Sequence, residues 1–210
     1  PPKTEKGLQN LPGTIDHLMK YNPSYISCTY GAGGGNVGAN REVCQMIKNA
    51  GTTPVTHFTV IKNTKEGIKE QLDQYLVDGV DHMLALRGDI PLGETTTCGD
   101  FDYATDLVKF VRDTYGDKFE IAVAGSPEGH ISCRSLESDI AVLKQKQDNG
   151  ADYIMTQLCW DMEQFKYWLD AIRKAGITMP VDVGVMPILD QAATINMALS
   201  RNGCVMEREL

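Results

Sequence analysis

The chain has 210 residues, 42% hydrophobic and 23% charged, which fits one globular domain with a packed core and excludes a disordered polymer. No run approaches the roughly 20 apolar residues that a membrane-spanning helix requires. Lys+Arg total 20 against 28 Asp+Glu, a net charge of −8; this lacks the basic field that phosphate-backbone binding needs, so neither membrane nor nucleic acid is an expected partner.

In chain order, short β-rich runs alternate with amphipathic periodicities. The predicted strands are Tyr25–Tyr30, Pro54–Val60, His82–Leu86, Glu120–Ala124, Tyr153–Leu158 and Val181–Met186. Most are apolar on both faces, as buried parallel strands are. Between them run five helical stripes: Val43, Met46, Ile47 and Ala50; then Ile68, Leu72, Tyr75, Leu76 and Val80; then Leu107, Val108, Val111 and Tyr115; then Leu136, Ile140 and Leu143; then Phe165, Trp168, Leu169 and Ile172. Gly51, Gly79, Gly116, Gly150 and Gly176 close these helices as left-handed caps. The βα unit of roughly thirty residues therefore repeats six times, with no linker, and residues 1–210 read as a single domain. Such repeats build a doubly wound sheet or a (β/α)8 TIM barrel. A barrel takes roughly 250 residues, so six units predict an incomplete barrel lacking one strand at each end.

The termini agree with a piece of a longer protein. Pro1-Pro2-Lys3-Thr4 is neither a native start nor a signal peptide, and Met206–Leu210 is a helix-like run with no stop signal. The six cysteines, Cys28, Cys44, Cys98, Cys133, Cys159 and Cys204, show no C-x-x-C pair and no zinc-finger histidine spacing. No structural metal is expected; the thiols read as the reduced cysteines of a cytosolic protein.

In either architecture the functional groups collect at the carboxyl ends of the strands. Those ends read Thr29-Tyr30-Gly31-Ala32-Gly33-Gly34-Gly35, His57-Phe58-Thr59, Arg87-Gly88-Asp89-Ile90-Pro91, Ser126-Pro127-Glu128-Gly129-His130, Thr156-Gln157 and Pro187-Ile188-Leu189-Asp190. Hydroxyls, two imidazoles, an Arg/Asp pair and an amide suit a heteroaromatic ligand with carbonyl and N–H edges. Gly33-x-Gly35-x-x-Gly38 matches the dinucleotide fingerprint, yet no acid occurs between Val43 and Lys65, where one should hold a ribose hydroxyl. His57 can be either a core imidazole or a ligand contact. His130, in a loop, reads as a ligand contact, and His17 and His82 as structural. Gln157, an amide in an apolar strand, needs a partner, which substrate can supply. Lys144 and Lys146 can be a solvated face or can reach a phosphate.

Six stretches carry a resemblance: Pro1-Pro2-Lys3-Thr4, Ser27-Cys28-Thr29-Tyr30-Gly31-Ala32, Ala85-Leu86-Arg87-Gly88-Asp89-Ile90-Pro91, Pro127-Glu128-Gly129-His130, Asp148-Asn149-Gly150-Ala151-Asp152 with Thr156-Gln157, and Gly184-Val185-Met186-Pro187-Ile188. In this order, over essentially the whole chain, they resemble methylenetetrahydrofolate reductase of the bacterial type. The resemblance implies a (β/α)8 barrel of which strands 2–7 are present and the first and eighth are not. It implies FAD at the strand carboxyl ends and hydride transfer from reduced FAD to 5,10-methylenetetrahydrofolate, giving 5-methyltetrahydrofolate. That reaction belongs to one-carbon metabolism and methionine biosynthesis in the cytoplasm. NADH, NADPH and a protein electron donor stay open, as does homo-oligomerisation through unpaired edge strands.

Carried over residue by residue, Thr29, His57, Arg87, Gly88, Asp89, Tyr103, Ala104, His130, Asp139 and Lys146 match flavin-contacting positions, and Gln157 a folate-contacting one. Asp89 matches the catalytic carboxylate beside the isoalloxazine pyrimidine edge, where a fixed negative charge stabilises the folate iminium cation. The family's first-strand glutamate would precede Pro1, so the chain alone is expected to be inactive. Ser126 stands where an aromatic residue is common in the family, and Gln191 where many members place phenylalanine. The same residues admit two rival readings: an NADP-dependent Rossmann dehydrogenase using Gly33, Gly35 and Gly38, and a non-catalytic flavin- or pterin-binding barrel fragment.

Overall fold

The computed structural model describes residues 4–29, 37–90 and 93–199. The Gly33 and Gly35 fingerprint positions, Tyr30, Pro91 and the Met206–Leu210 run lie outside them. The elements are α1 (Glu5–Met19), β1 (Tyr25–Cys28), α2 (Val37–Asn49), β2 (Thr53–Thr59), α3 (Lys65–Val77), β3 (His82–Leu86), α4 (Ala104–Tyr115), β4 (Glu120–Gly125), α5 (Leu136–Asp148), β5 (Tyr153–Thr156), α6 (Met162–Lys174), β6 (Val181–Asp182) and α7 (Gln191–Leu199). Among the described residues no helix is long and apolar enough to cross a membrane. The chain forms two compact units, Pro1–Ile121 and Ala122–Leu210, with the boundary inside β4.

In the first unit β1, β2 and β3 are parallel neighbours, with Cys28 opposite Thr56 and His57 opposite Leu84. The start of β4 lies beside β3, because the Glu120 N–H donates to the Asp81 carbonyl at 2.8 Å. A dinucleotide-binding Rossmann sheet reverses strand order at this point and sets its fourth strand beside the first. The observed order therefore removes the Rossmann reading. The two faces of β2 separate by alternation. Phe58 meets the Tyr75 ring of α3 edge-on at 6.3 Å, so Thr56 and Phe58 face the helices. Val55, His57 and Thr59 then face the other way. Phe58, Ile68, Leu72, Tyr75 and Val108 are fully buried and form the core between sheet and helices.

In the second unit β4, β5 and β6 are parallel in chain order, with Gly125 opposite Thr156 and Met155 opposite Asp182. Val123, Ile154, Trp168 and Ile172 are fully buried. Gly125 is required by packing: a Cβ there would stand 2.6 Å from Ile154 Cγ2 and 3.1 Å from the Trp168 ring.

The alternation of strand and helix agrees with expectation, and the five predicted cap glycines all adopt positive φ, between 59° and 101°. Several strands are shorter than their apolar runs. β1 stops at Cys28 because the carbonyls of Cys28 and Thr29 are taken by the Asn40 side chain. β6 is Val181–Asp182 rather than Val181–Met186, since the Gly184 N–H turns to the Thr156 hydroxyl at 2.9 Å. β5 ends at Thr156, although the Gln157 N–H still reaches the Gly125 carbonyl at 2.8 Å.

Candidate functional site

In the first unit the candidate residues gather at the carboxyl ends of three strands. Cys28 and Thr56 are register partners on the helix side, so the next positions along, Thr29 and His57, turn to the opposite face. His57 is half-buried; burial pushes its imidazole down to about 4, leaving it neutral at pH 7. Gly88 has φ 88° and fits tightly: a Cβ there would stand 2.6 Å from Ile61 Cγ1 and 3.0 Å from Thr59 Cβ. The peptide at Gly88 thereby packs against the end of β2. Arg87 Nε donates to the Gly88 carbonyl at 3.3 Å rather than to the Asp89 carboxylate, and Asp89 is exposed. Tyr103 and Ala104 open α4. The Asp106 carboxylate accepts from the Tyr103 N–H at 3.0 Å, and the phenol ring is exposed.

One residue that the sequence reading passed over organises this end of the unit. Asn40 of α2 is fully buried. Its amide N–H groups donate to the carbonyls of Cys28 (3.1 Å) and Thr29 (3.0 Å). Its Oδ1 accepts from the hydroxyls of Thr56 (2.8 Å) and Tyr75 (2.6 Å) and from the Cys44 thiol (3.5 Å). The hydrogen bond shared with Cys28, and then burial, hold the Cys44 thiol protonated, which suits its role as donor. A signal was available: Asn40 falls on the stripe of Val43 and Ile47, a polar side chain on an apolar face.

In the second unit His130, Asp139 and Lys146 come together around the connection between β4 and α5. Asp139 Oδ2 accepts from the His130 N–H at 3.1 Å, and its Oδ1 faces the Cys133 thiol at 3.6 Å. Burial, followed by the Asp139 charge, pushes the Cys133 thiol up, so it stays protonated. Lys146 Nζ donates to the Ala124 carbonyl at 3.0 Å. Desolvation lowers its ammonium from the ordinary lysine value while the neighbouring Asp139 opposes the shift. Lys144, by contrast, pairs along the helix with Asp148 and belongs to a solvated face. At the end of β5, Gln157 lies on the face opposite Trp168, and its Oε1 accepts from the Leu158 N–H at 3.3 Å. Two further side chains hold the rim loops: Gln164 Nε2 donates to the Pro127 carbonyl at 2.7 Å, and Trp160 Nε1 to that of Met186 at 3.3 Å. His17 lies edge-on to Tyr21, and His82 sits between the carboxylates of Asp81 and Glu120.

Parallel strands each followed by a helix define an α/β protein, a class of fold in which ligands bind outside the strand carboxyl ends. A family model described as methylenetetrahydrofolate reductase matches residues 1–202. The chain belongs to the methylenetetrahydrofolate reductase family. It is 37% identical over 211 residues to methylenetetrahydrofolate reductase (NADH) 1 of Arabidopsis thaliana, covering 94% of this chain and 36% of that protein. It is 33% identical over 189 residues to 5,10-methylenetetrahydrofolate reductase of Escherichia coli, covering 90% of this chain and 62% of that protein. The chain thus spans about a third of its plant relative and under two thirds of its bacterial one. Among solved structures, it is similar in fold to an uncharacterised protein from Clostridium thermocellum that binds two copies of 5-methyl-5,6,7,8-tetrahydrofolic acid. That match has a TM-score of 0.67 at 14% identity and covers 99% of this chain and 68% of that one.

Proposed function

We propose that the protein containing this chain reduces 5,10-methylenetetrahydrofolate to 5-methyltetrahydrofolate with FAD as its cofactor, and that the six strands are strands 2–7 of a (β/α)8 barrel. The observation that carries the reading is family membership over residues 1–202, joined to a matching donor set at the strand ends. That set fits a flavin dinucleotide in kind. Arg87 and the desolvated Lys146 are cations for its phosphates. Thr29 and His130 offer hydrogen-bonding groups, and Tyr103 an exposed ring. The bound flavin supplies the hydride.

The chain's own residues position and polarise. Neutral His57 meets a heteroaromatic edge without adding charge. Gln157 presents an amide to the folate pterin. Asp89 holds a negative charge where the one-carbon unit opens to a 5-iminium cation, stabilising that cation before hydride arrives. The electron donor is a reduced nicotinamide, and NADH is the one named for the plant relative.

The test uses the full-length protein. It should purify yellow, bleach with NADH and recover its colour with methylenetetrahydrofolate. Asp89→Asn should keep the flavin and slow reoxidation by the folate about a hundredfold, while changing flavin reduction far less; stopped-flow absorbance separates the two steps. A colourless protein, or a variant with both half-reactions unchanged, would overturn the assignment of cofactor or of Asp89 respectively.

A further inference from the structure

Asn40 is tied to four elements at once, and the pattern of its bonds is directional. Both of its amide N–H groups go to consecutive carbonyls, Cys28 and Thr29, where β1 ends. Its oxygen is held in turn by Thr56 of β2, Tyr75 of α3 and Cys44 of its own helix. A buried amide with donors and acceptor all engaged has one rotamer available to it. The Thr29 carbonyl is therefore fixed relative to β2 and α3 through Asn40. Fixing that peptide fixes the direction in which the Thr29 side chain leaves the backbone.

We propose that Asn40 is a positioning residue for cofactor binding: its amide aims Thr29 at the flavin, an inference that rests on the function proposed above. In this role Asn40 acts through the backbone at Thr29 and not on the ligand itself. Simple packing would make its loss a stability defect alone. A positioning role makes it a binding defect that depends on Thr29.

The experiment measures FAD affinity of the full-length apoprotein by flavin fluorescence quenching, with thermal melting alongside. Thr29→Ala should weaken FAD roughly tenfold, the worth of one hydrogen bond. Asn40→Asp keeps the acceptor for Thr56 and Tyr75 but loses donation to the two carbonyls, and should weaken FAD to a similar degree. Asn40→Ser serves the same purpose should the Asp variant not fold. The double variant with Thr29→Ala should bind within twofold of Thr29→Ala alone. Ile68→Val, a fully buried core change in α3, should lower the melting temperature and leave FAD affinity within twofold. Unchanged affinity in the Asn40 variants while Thr29→Ala weakens binding would overturn this inference and leave the proposed function standing. Additive losses in the double variant would do the same. Failure of the parent protein to bind FAD would instead overturn the proposed function, and this inference with it.

Discussion

At the scale of single residues, the neutral imidazole of His57 couples protonation to folding. An unfolded histidine titrates near 6.5, whereas burial holds His57 at about 4. Between those values the unfolded chain binds a proton that the folded chain refuses, so this contribution is complete above pH 6.5 and is lost as the pH falls towards 4. Half-burial moderates the effect to roughly 2 kcal/mol. His57→Gln should accordingly close its stability gap to the parent by about that amount between pH 7.5 and pH 4.5 in urea unfolding; a gap constant with pH would refute the assignment. Gly125 gives a second residue-level expectation. With Ile154 and Trp168 inside contact distance of any Cβ, Gly125→Ala should cost about 1–3 kcal/mol through overpacking, read as a lower denaturation midpoint. The sequence marked His57 and Gln157 because each is polar within an apolar run. It could not reveal the bond from Lys146 to the Ala124 carbonyl, since residues 22 apart meet only once α5 folds back over β4.

At the scale of elements, legibility follows the strength of the local signal. The five amphipathic helices and their glycine caps were readable because stripe, stop and positive φ all point to one structure. Two helices were not. α1 carries Pro12 inside it and buries only Ile15, so its intrinsic helix propensity does not stand out. α7 has no charged residue in its first or last turn and is marked chiefly by Asp190, whose carboxylate accepts from the Ala193 N–H at 2.8 Å. Strand ends were overestimated where a side chain, Asn40 or Thr156, took the place of a ladder partner; apolar runs do not report such substitutions. The cap of α5 offers a test at this scale. Ser135 Oγ accepts from the Ser138 N–H at 3.2 Å, and the Ser138 hydroxyl accepts in return from the Ser135 N–H at 3.2 Å. Ser135→Ala should cost about 1 kcal/mol. It should also loosen the start of the helix that presents Asp139 and Lys146, visible as faster amide exchange at residues 136–139 with little change at β5.

At the scale of the molecule, the proposed ligand groups fall into two sets, one in each compact unit. Thr29, His57, Gly88 and Asp89 depend on the ends of β1, β2 and β3, while His130, Asp139, Lys146 and Gln157 depend on β4, α5 and β5. The proposed FAD needs strand ends that exist only in the folded chain, and such binding must raise the apparent stability by mass action. At a hundredfold excess of FAD over its dissociation constant the gain is about 2.7 kcal/mol, read as a rise in melting temperature. The full-length apoprotein should show that rise with FAD. Thr29→Ala and Lys146→Ala, tested at the same FAD concentration, should each show a smaller one because each weakens binding. The two variants report on different elements, so the comparison asks whether both sets of strand ends serve one ligand. A rise reduced by one substitution and untouched by the other would assign the flavin to a single set and require the remaining candidates to serve the folate or nothing.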